Sequence, residues 1–283
     1  MPRDEIRRRL GKLSGLIVAI VIVVPAAATL ISGCQQVPVT QRNRLMLTTS
    51  ETEENQLGLT AYQEVLKSEP LSKKDEYAEL VRRVGKRISA VADRPDFEWE
   101  FNVIESELQN AFCLPGGKVA IYTGILPVCQ NEAGLAVVMS HEVAHALARH
   151  GGERMQHQMA QNLGKQAVSY FTKDQEEAKQ KIVLTAYGAA SQYGLVLPYS
   201  RTHELEADHI GLMLMAKAGY DPAVAPEFWQ RFAGQKSGKA PVEFMSTHPS
   251  DEHRSSALID LLPEAQKIYD KSDEKYGIGA EIR

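Results

Sequence analysis

Two histidines and a glutamate with the spacing His-Glu-x-x-His are the residues of this chain best suited to metal chemistry. They are His141, Glu142 and His145, and mostly apolar residues flank them. Residues four apart on a helix project from one face, so His141 and His145 can bind the same zinc ion. Glu142 lies about 100° round the helix, where its carboxylate can take a proton from water. The pattern predicts the zinc centre of a metallopeptidase.

The alternative is a chance occurrence of these residues in a helix that binds no metal. Buried polar side chains are costly without partners, and a metal ion would supply those partners. The third ligand has to come from farther along the chain. Ala148 and Gly151 occupy the two positions where a metzincin carries glycine and histidine.

A second polar cluster opens the helix predicted from Tyr199 to Gly219. Glu204 and Asp208 are four residues apart and share one helix face. If Glu204 is the third zinc ligand, Asp208 can accept a hydrogen bond from the distal nitrogen of a ligand histidine. The alternative is that all the acids here form a solvated face, which is the environment we expect for Glu206.

The N-terminus has the features of a bacterial lipoprotein signal. A basic segment precedes an apolar core, and Ile31-Ser32-Gly33-Cys34 closes it. This pattern predicts a signal peptide over residues 1–33, cleaved before Cys34, with lipid attached to that cysteine. An uncleaved signal anchor is the alternative, although Pro25 interrupts the apolar stretch. Gln35 follows the cysteine, and the resemblance to lipoproteins then implies the periplasmic side of an outer membrane.

Composition limits the partners and the number of domains. The chain of 283 residues has a formal net charge of −4 and no basic stripe, so nucleic acid is not a predicted partner. Without the signal, about 250 residues remain, enough for one sizeable core or two small ones. We place a tether at 34–49, a metallopeptidase domain at 50–270 and a C-terminal tail at 271–283.

The predicted domain is α+β and mainly helical, with a small sheet beside the site helix. Helices are predicted from Ser50 to Lys67 and from Asp75 to Val91. Strict alternation from Phe97 to Val103 predicts a strand, and two further strands at 110–113 and 118–122 flank a glycine-containing turn. This hairpin either supports the site helix or offers an edge strand. In the second case Asn110, Ala111 and Phe112 would pair with an extended peptide substrate.

The stretch after the site helix allows three interpretations. Gly151-Gly152 predicts the end of the site helix. Residues 182–197 are apolar and rich in small residues, and a buried helix is the expectation for them. A mobile lid or a membrane-facing surface are the alternatives for residues 151–198.

Two cysteines besides Cys34 are present, Cys113 and Cys129. In an oxidising compartment they could form a disulfide. Two separate buried thiols are at least as consistent with the sequence, because free cysteine packs as a small hydrophobe.

Four separated motifs resemble the gluzincin family of zinc metallopeptidases that includes the CAAX prenyl protease, the heat-shock membrane protease HtpX and the Oma-like bacterial lipoproteins. The motifs, spread over residues 50–260, are His141-Glu142-x-x-His145, Ser200-Arg201-x-x-Glu204-x-x-Ala207-Asp208, Asn110-Ala111-Phe112 with Leu114-Pro115-Gly116-Gly117, and Thr247-His248-Pro249 with Arg254. The resemblance implies a zincin-like fold in which His141, His145 and Glu204 bind zinc. It also implies that the Asn-Ala-Phe strand aligns the substrate.

The same resemblance implies that His248 and Arg254 lie at the active site, whereas a lone loop histidine is usually exposed. At the zinc, His248 has two possible roles. It could donate a hydrogen bond to the oxyanion, which is the role we favour, or it could be a fourth ligand that keeps the enzyme latent. Arg254 could support the loop that carries His248 or contact the substrate.

Taken together, the sequence predicts a zinc-dependent endopeptidase of the bacterial envelope, with one Zn²⁺ per chain and Glu142 as general base. Its substrates would be extended or misfolded envelope proteins, and lipid on Cys34 would attach it to the membrane. The alternative is a latent enzyme or a non-catalytic chaperone or assembly factor whose zinc site His248 closes. Casein cleavage with and without a chelator would separate the two.

Overall fold

The predicted fold class, α+β and mainly helical, is confirmed by the order of the helices and strands. The computed structural model describes residues 34–46, 49–192, 197–234, 248 and 252–282. The predicted signal peptide therefore lies outside the described residues, as do Thr247 and Pro249 of the His-Pro motif.

The strands are short and come early in the described chain: β1 (Cys34–Gln36), β2 (Asn43–Leu45), β3 (Glu100–Ile104), β4 (Ala111–Leu114) and β5 (Lys118–Tyr122). The helices are α1 (Glu51–Ser68), α2 (Asp75–Val91), α3 (Leu126–Cys129), α4 (Glu132–Leu147), α5 (His150–Phe171), α6 (Glu177–Ser191), α7 (Leu197–Lys217), α8 (Val224–Gly234) and α9 (Glu252–Asp270). No helix among the described residues combines the length and the apolarity needed to cross a membrane.

The two helices predicted before the sheet are confirmed. Helix α1 starts with the predicted capping box, in which the Ser50 hydroxyl accepts from the backbone N–H of Glu53 at 3.2 Å. The Glu53 carboxylate in turn accepts from the backbone N–H of Ser50 at 2.8 Å. Helix α2 has the predicted bounds and buries the face that contains Val81, Val84 and Ile88.

A three-stranded sheet with the order β3-β5-β4 lies beside α4. Strand β3 runs parallel to β5, and β4 pairs antiparallel with β5 as the predicted hairpin. The turn uses Gly116 and Gly117 at φ of +84° and +82°, a region that glycine adopts without strain. Strand β3 is shorter than the predicted Phe97–Val103, because its pairing with β5 begins only at Glu100.

Helix α4 is the buried centre of the domain. Every one of its residues is buried, which explains why it is apolar on all sides rather than along one stripe. Asn131 caps its first turn by accepting from the backbone N–H of Gly134 at 2.9 Å. The carboxylate of Glu132 pairs with Arg83 at 2.6 Å and Arg87 at 2.8 Å, so α2 fixes the start of α4.

A glycine allows α7 to approach α4 closely. Glu204, Asp208 and Gly211 occupy positions i, i+4 and i+7 of α7 and therefore share one face. A Cβ added at Gly211 would lie 3.0 Å from the backbone nitrogen of His141 and 3.1 Å from its Cα. This close contact brings the carboxylates of α7 within reach of the histidines of α4.

The predicted end of the site helix at Gly151-Gly152 is wrong. Helix α4 stops at Leu147, and α5 begins at His150 and continues through both glycines. The break is at Arg149, which has φ +54° and ψ +36° and whose guanidinium donates to Glu54 at 2.8 and 2.9 Å. At Gly152, a Cβ would lie 2.2 Å from a carboxylate oxygen of Glu54, so this glycine serves packing rather than helix termination.

The two segments that flank the predicted domain are both folded against it where the structure describes them. Residues 34–46, predicted as a tether, form a hairpin of β1 and β2 in which Val37 and Arg44 are buried. In the predicted tail, Gly277 forms a β-bridge with Tyr220, and a second bridge joins Glu281 to Asn131.

The expectation of a buried helix over 182–197 is wrong for the part that the structure describes. Helix α6 contains no buried residue, and its main contacts among the described residues are with α5. Ile182 and Val183 are exposed. The small residues of α6 provide too little apolar surface to hold it in the core, and residues 193–196 lie outside the described part.

We predict that Gly211→Ala destabilises the fold although alanine favours helix. The new Cβ would press on the backbone of α4, and such overpacking costs about 1–3 kcal/mol. Gly188→Ala is the matched control, because a Cβ at Gly188 in α6 meets nothing within 4 Å. Its gain in helix propensity should stabilise by about 1 kcal/mol or less. Urea unfolding measures both, and equal effects of the two substitutions would contradict the close helix contact.

Candidate metal centre

Four buried side chains bring their donor atoms together between α4 and α7. His141 and His145 come from α4, Glu204 from α7, and His248 from the chain between α8 and α9. All four are less than a tenth exposed. One ligand atom from each lies within 4.8 Å of the others. The structure thus brings together the three predicted zinc ligands and the histidine of the His-Pro motif.

The distances between these atoms fit a tetrahedral zinc ion. Nε2 of His141 lies 3.1 Å from Nε2 of His145 and 3.3 Å from Nδ1 of His248. The Glu204 oxygens lie 3.1 Å from Nδ1 of His248, 3.4 Å from Nε2 of His141 and 3.5 Å from Nε2 of His145. Ligands 2.0–2.1 Å from a tetrahedral zinc are about 3.3 Å apart. The residues present therefore fit the metal.

The other ring nitrogens explain why a cation belongs here. Nδ1 of His141 lies 3.0 Å from a carboxylate oxygen of Asp208, which can only accept. The hydrogen of His141 is then on Nδ1, and the lone pair of Nε2 points into the cluster. That lone pair faces a carboxylate oxygen of Glu204. Either a metal ion or a proton on Nε2 has to lie between these electron-rich atoms, because they would otherwise repel one another.

Asp208 and Arg254 form a layer behind the ligands. Arg254 donates to both oxygens of Asp208, at 2.7 and 2.8 Å, and lies 3.2 Å from Oε2 of Glu204. Its guanidinium also lies 4.2 Å from the ring centre of Trp229. Asp208 contacts the ligand His141, and Arg254 balances two buried carboxylates.

Burial and hydrogen bonding shift the pKa values of the side chains in the cluster in different directions. Burial raises the pKa of Glu142 to about 7, which suits a group that takes up a proton at neutral pH. Burial also acts to raise the pKa of Glu204, but hydrogen bonds with His141 and His248 outweigh it and hold that pKa below its usual value. Burial lowers the pKa of His145 well below its usual value, so its ring is neutral.

A groove of about 260 Å³ opens the cluster to an extended chain. Its lining includes Ala111 and Phe112 of β4, Asn110 just before that strand, and Glu142 and His248. Oε1 of Glu142 has no hydrogen-bond partner among the described residues and lies 3.5 Å from Nε2 of His248. Since β4 is an edge of its sheet, its backbone can accept another strand.

Two buried residues near the ligands were not predicted from the sequence. Glu206, expected on a solvated face, is buried and accepts from His150 at 2.9 Å. His150 in turn lies 2.8 Å from His145. The spacing of five residues between these histidines is not a helical repeat, and only the break at Arg149 brings them together.

The cysteines separate into two cases. Cys113 and Cys129 are free and buried, so they are two thiols rather than a disulfide. Cys34 lies in β1, but its side chain is outside the described part, and lipid attachment there stays a prediction.

Comparison with known proteins identifies the family. The model of Peptidase family M48 matches residues 75–261. The chain belongs to peptidase family M48. The mitochondrial metalloendopeptidase OMA1 of Schizosaccharomyces pombe is 42% identical over 205 residues, which are 68% of this chain and 55% of that protein. The mitochondrial metalloendopeptidase OMA1 of Homo sapiens is 31% identical over 244 residues, 82% of this chain and 46% of that protein. The beta-barrel assembly-enhancing protease of Escherichia coli is 27% identical over 212 residues, 73% of this chain and 43% of that protein.

The comparisons confirm the predicted enzyme class and cofactor but contradict the predicted location. The metallopeptidase class and zinc as its cofactor are confirmed by the M48 family and the donor cluster. The predicted location in a bacterial outer membrane is wrong, because the relative matched at 42% identity and the human relative are mitochondrial. The chain spans about half the length of these curated relatives.

We predict that Asp208→Asn weakens zinc binding about 10- to 100-fold, as is usual when the hydrogen-bond partner of a ligand histidine is lost. The neutral amide accepts a weaker bond from His141 and loses the ion pair with Arg254. Competition with a chelating dye measures the affinity. Asp260→Asn, an exposed position on α9, is the control. Equal affinities for the two variants would show that Asp208 does not hold His141.

Proposed function

We propose that this protein is a zinc-dependent endopeptidase that cleaves extended segments of polypeptides. The observation that carries the proposal is the position of Glu142 in one groove with the donor cluster and an edge strand. A structural zinc site would need the ligands but neither the groove nor a buried carboxylate oxygen without a hydrogen-bond partner.

In this proposal His141, His145 and Glu204 hold the zinc ion. Bound zinc would supply a Lewis acid that polarises the scissile carbonyl and makes a water more acidic. Glu142 takes the proton from the attacking water and passes it to the leaving amine. The raised pKa of Glu142 keeps the carboxylate close to balance between its two protonation states at neutral pH.

Strand β4 would hold the substrate. The backbone N–H of Tyr122 donates to the carbonyl of Asn110 at 3.1 Å, so this carbonyl faces the sheet. Backbone groups alternate in direction along an antiparallel strand, so those of Ala111 and Cys113 face away from β5 and towards the groove. Pairing through the backbone selects extended chains without requiring a sequence, which supports misfolded or unfolded proteins as substrates and a role in protein quality control.

We further propose that His248 closes the resting site. Nδ1 of His248 lies 3.1 Å from Glu204 and 3.3 Å from His141, the spacing of a fourth ligand. A water or a substrate carbonyl needs that fourth position. This geometry favours the latent-enzyme alternative over the oxyanion-donor role, and His248 has to move before cleavage.

Glu142→Gln should abolish peptide cleavage and leave the zinc content and the unfolding midpoint near those of the wild type. The amide has the same shape but cannot accept a proton. Casein cleavage and metal analysis of the purified protein measure the two properties. Glu64→Gln, at an exposed position on α1, is the matched control. Loss of zinc together with activity in Glu142→Gln would assign this residue as a ligand instead.

His248→Ala should raise the turnover of casein and weaken zinc binding, because it removes a ligand that occupies the substrate position. If His248 is instead an oxyanion donor, the substitution should have the opposite effect, a loss of about a hundredfold in turnover. His157→Ala on α5 is the control, since His157 is not part of the donor cluster. Unchanged turnover and unchanged zinc affinity would remove His248 from both roles.

A further inference from the structure

A second buried polar network lies behind the ligand His145. Nδ1 of His145 is 2.8 Å from Nδ1 of His150, and Nε2 of His150 is 2.9 Å from Oε2 of Glu206. We call these three residues the imidazole relay. Each is less than a tenth exposed, so water does not compete for their hydrogen bonds.

The relay determines which nitrogen of His145 carries hydrogen. The Glu206 carboxylate can only accept, so the hydrogen of a neutral His150 is on Nε2 and its Nδ1 is an acceptor. Nδ1 of His145 must then be the donor. That tautomer leaves the lone pair of His145 on Nε2, which is the atom that faces His141 and Glu204.

The N-terminal hairpin fixes the far end of the relay. Thr40 donates to Oε1 of Glu206 at 2.5 Å, and Nε of Arg42 donates to Oε2 at 2.8 Å. Arg42 also donates to both oxygens of Glu153, at 3.0 and 2.9 Å. Both residues belong to the turn between β1 and β2. Glu206 thus has its orientation set from outside the helices.

The two ligand histidines have matching supports. His141 is backed by Asp208, which pairs with Arg254 from α9. We propose that His150 and Glu206 are positioning residues for His145, and that the hairpin of β1 and β2 is part of the metal centre because Arg42 and Thr40 hold Glu206. The proposal rests on the proposed role of His145 as a zinc ligand.

A second metal site is the rival interpretation of this region. A metal ion could be held by His150, Glu153 and His203 together. The two histidine rings are stacked, with their centres 3.9 Å apart. However, the Arg42 guanidinium already forms an ion pair with Glu153. Nε2 of His203 also forms a hydrogen bond with the same carboxylate at 2.7 Å. The relay therefore predicts one zinc per chain, and two would overturn it.

The test compares three forms of the full chain by zinc affinity, measured by chelator competition on the apoprotein. His150→Leu removes the acceptor for His145 and should weaken zinc binding about 10- to 100-fold. His150→Asn places an amide oxygen near the former Nδ1 and should restore most of the affinity. Tight zinc binding by His150→Leu, or equal weakening in both variants, would overturn the proposal.

The hairpin is tested with substitutions that keep its shape. Thr40→Val and Arg42→Met each remove donors to Glu206 and should weaken zinc binding in the same direction as His150→Leu. Asn43→Ala, exposed on β2, is the matched control and should leave the affinity unchanged. Affinities of the Thr40 and Arg42 variants equal to that of the control would overturn the role of the hairpin.

A measurement on the wild type keeps the test independent of how the variants fold. Two-bond nitrogen–proton correlation spectra of the zinc-loaded, ¹⁵N-histidine-labelled chain report the tautomer of each ring. The relay requires hydrogen on Nδ1 of His145 and on Nε2 of His150, and hydrogen on Nδ1 of His150 would overturn it. If the wild type binds no zinc, the proposed function fails, whereas zinc binding with the wrong tautomer refutes the relay alone.

Discussion

The fold depends on the close contact between α4 and α7. Where Gly211 lies against the backbone of His141, the two helices are near enough for the carboxylates of one to reach the histidines of the other. The rest of the core holds α4 in place, since all residues of α4 are buried and Arg83 of α2 pairs with Glu132 in its first turn. A metal ion then satisfies polar atoms that this apolar surrounding could not otherwise accommodate.

Each part of the centre follows from the same electrostatic requirement. The lone pairs of His141 and His145 point inwards because acceptors behind them, Asp208 and His150, hold the outer hydrogens. Asp208 is balanced by Arg254 and Glu206 by Arg42, so buried acids are paired with arginines on both sides. Two distant segments of the chain, the N-terminal hairpin and α9, thereby orient ligands that neither contributes.

The sequence was sufficient for the residues whose spacing is a helical repeat. His141 and His145, and likewise Glu204 and Asp208, are four apart, and a regular helix is enough to place each pair on one face. The capping box at Ser50 and the glycine turn after β4 are equally local signals, and both are found.

Features that depend on tertiary contacts were missed. His150 meets His145 only because Arg149 adopts a left-handed conformation held by Glu54, nearly a hundred residues earlier in the chain. Glu206 was predicted to be solvated because no local sequence pattern indicates that Arg42 and His150 cover it. The hairpin at 34–46 is too short for periodicity to detect, and α6 is apolar in sequence yet lies outside the core.

The central claim is that three imidazoles and one carboxylate form a zinc centre in the resting protein, and X-ray absorption at the zinc edge tests it most directly. For the purified full chain, the account predicts four nitrogen and oxygen donors at about 2.0–2.1 Å, with the outer-shell scattering of three imidazole rings. Sulfur at about 2.3 Å or a six-oxygen shell would contradict the assignment of the ligands. Outer-shell scattering from only two imidazole rings would contradict the proposal that His248 is a fourth ligand in the resting protein.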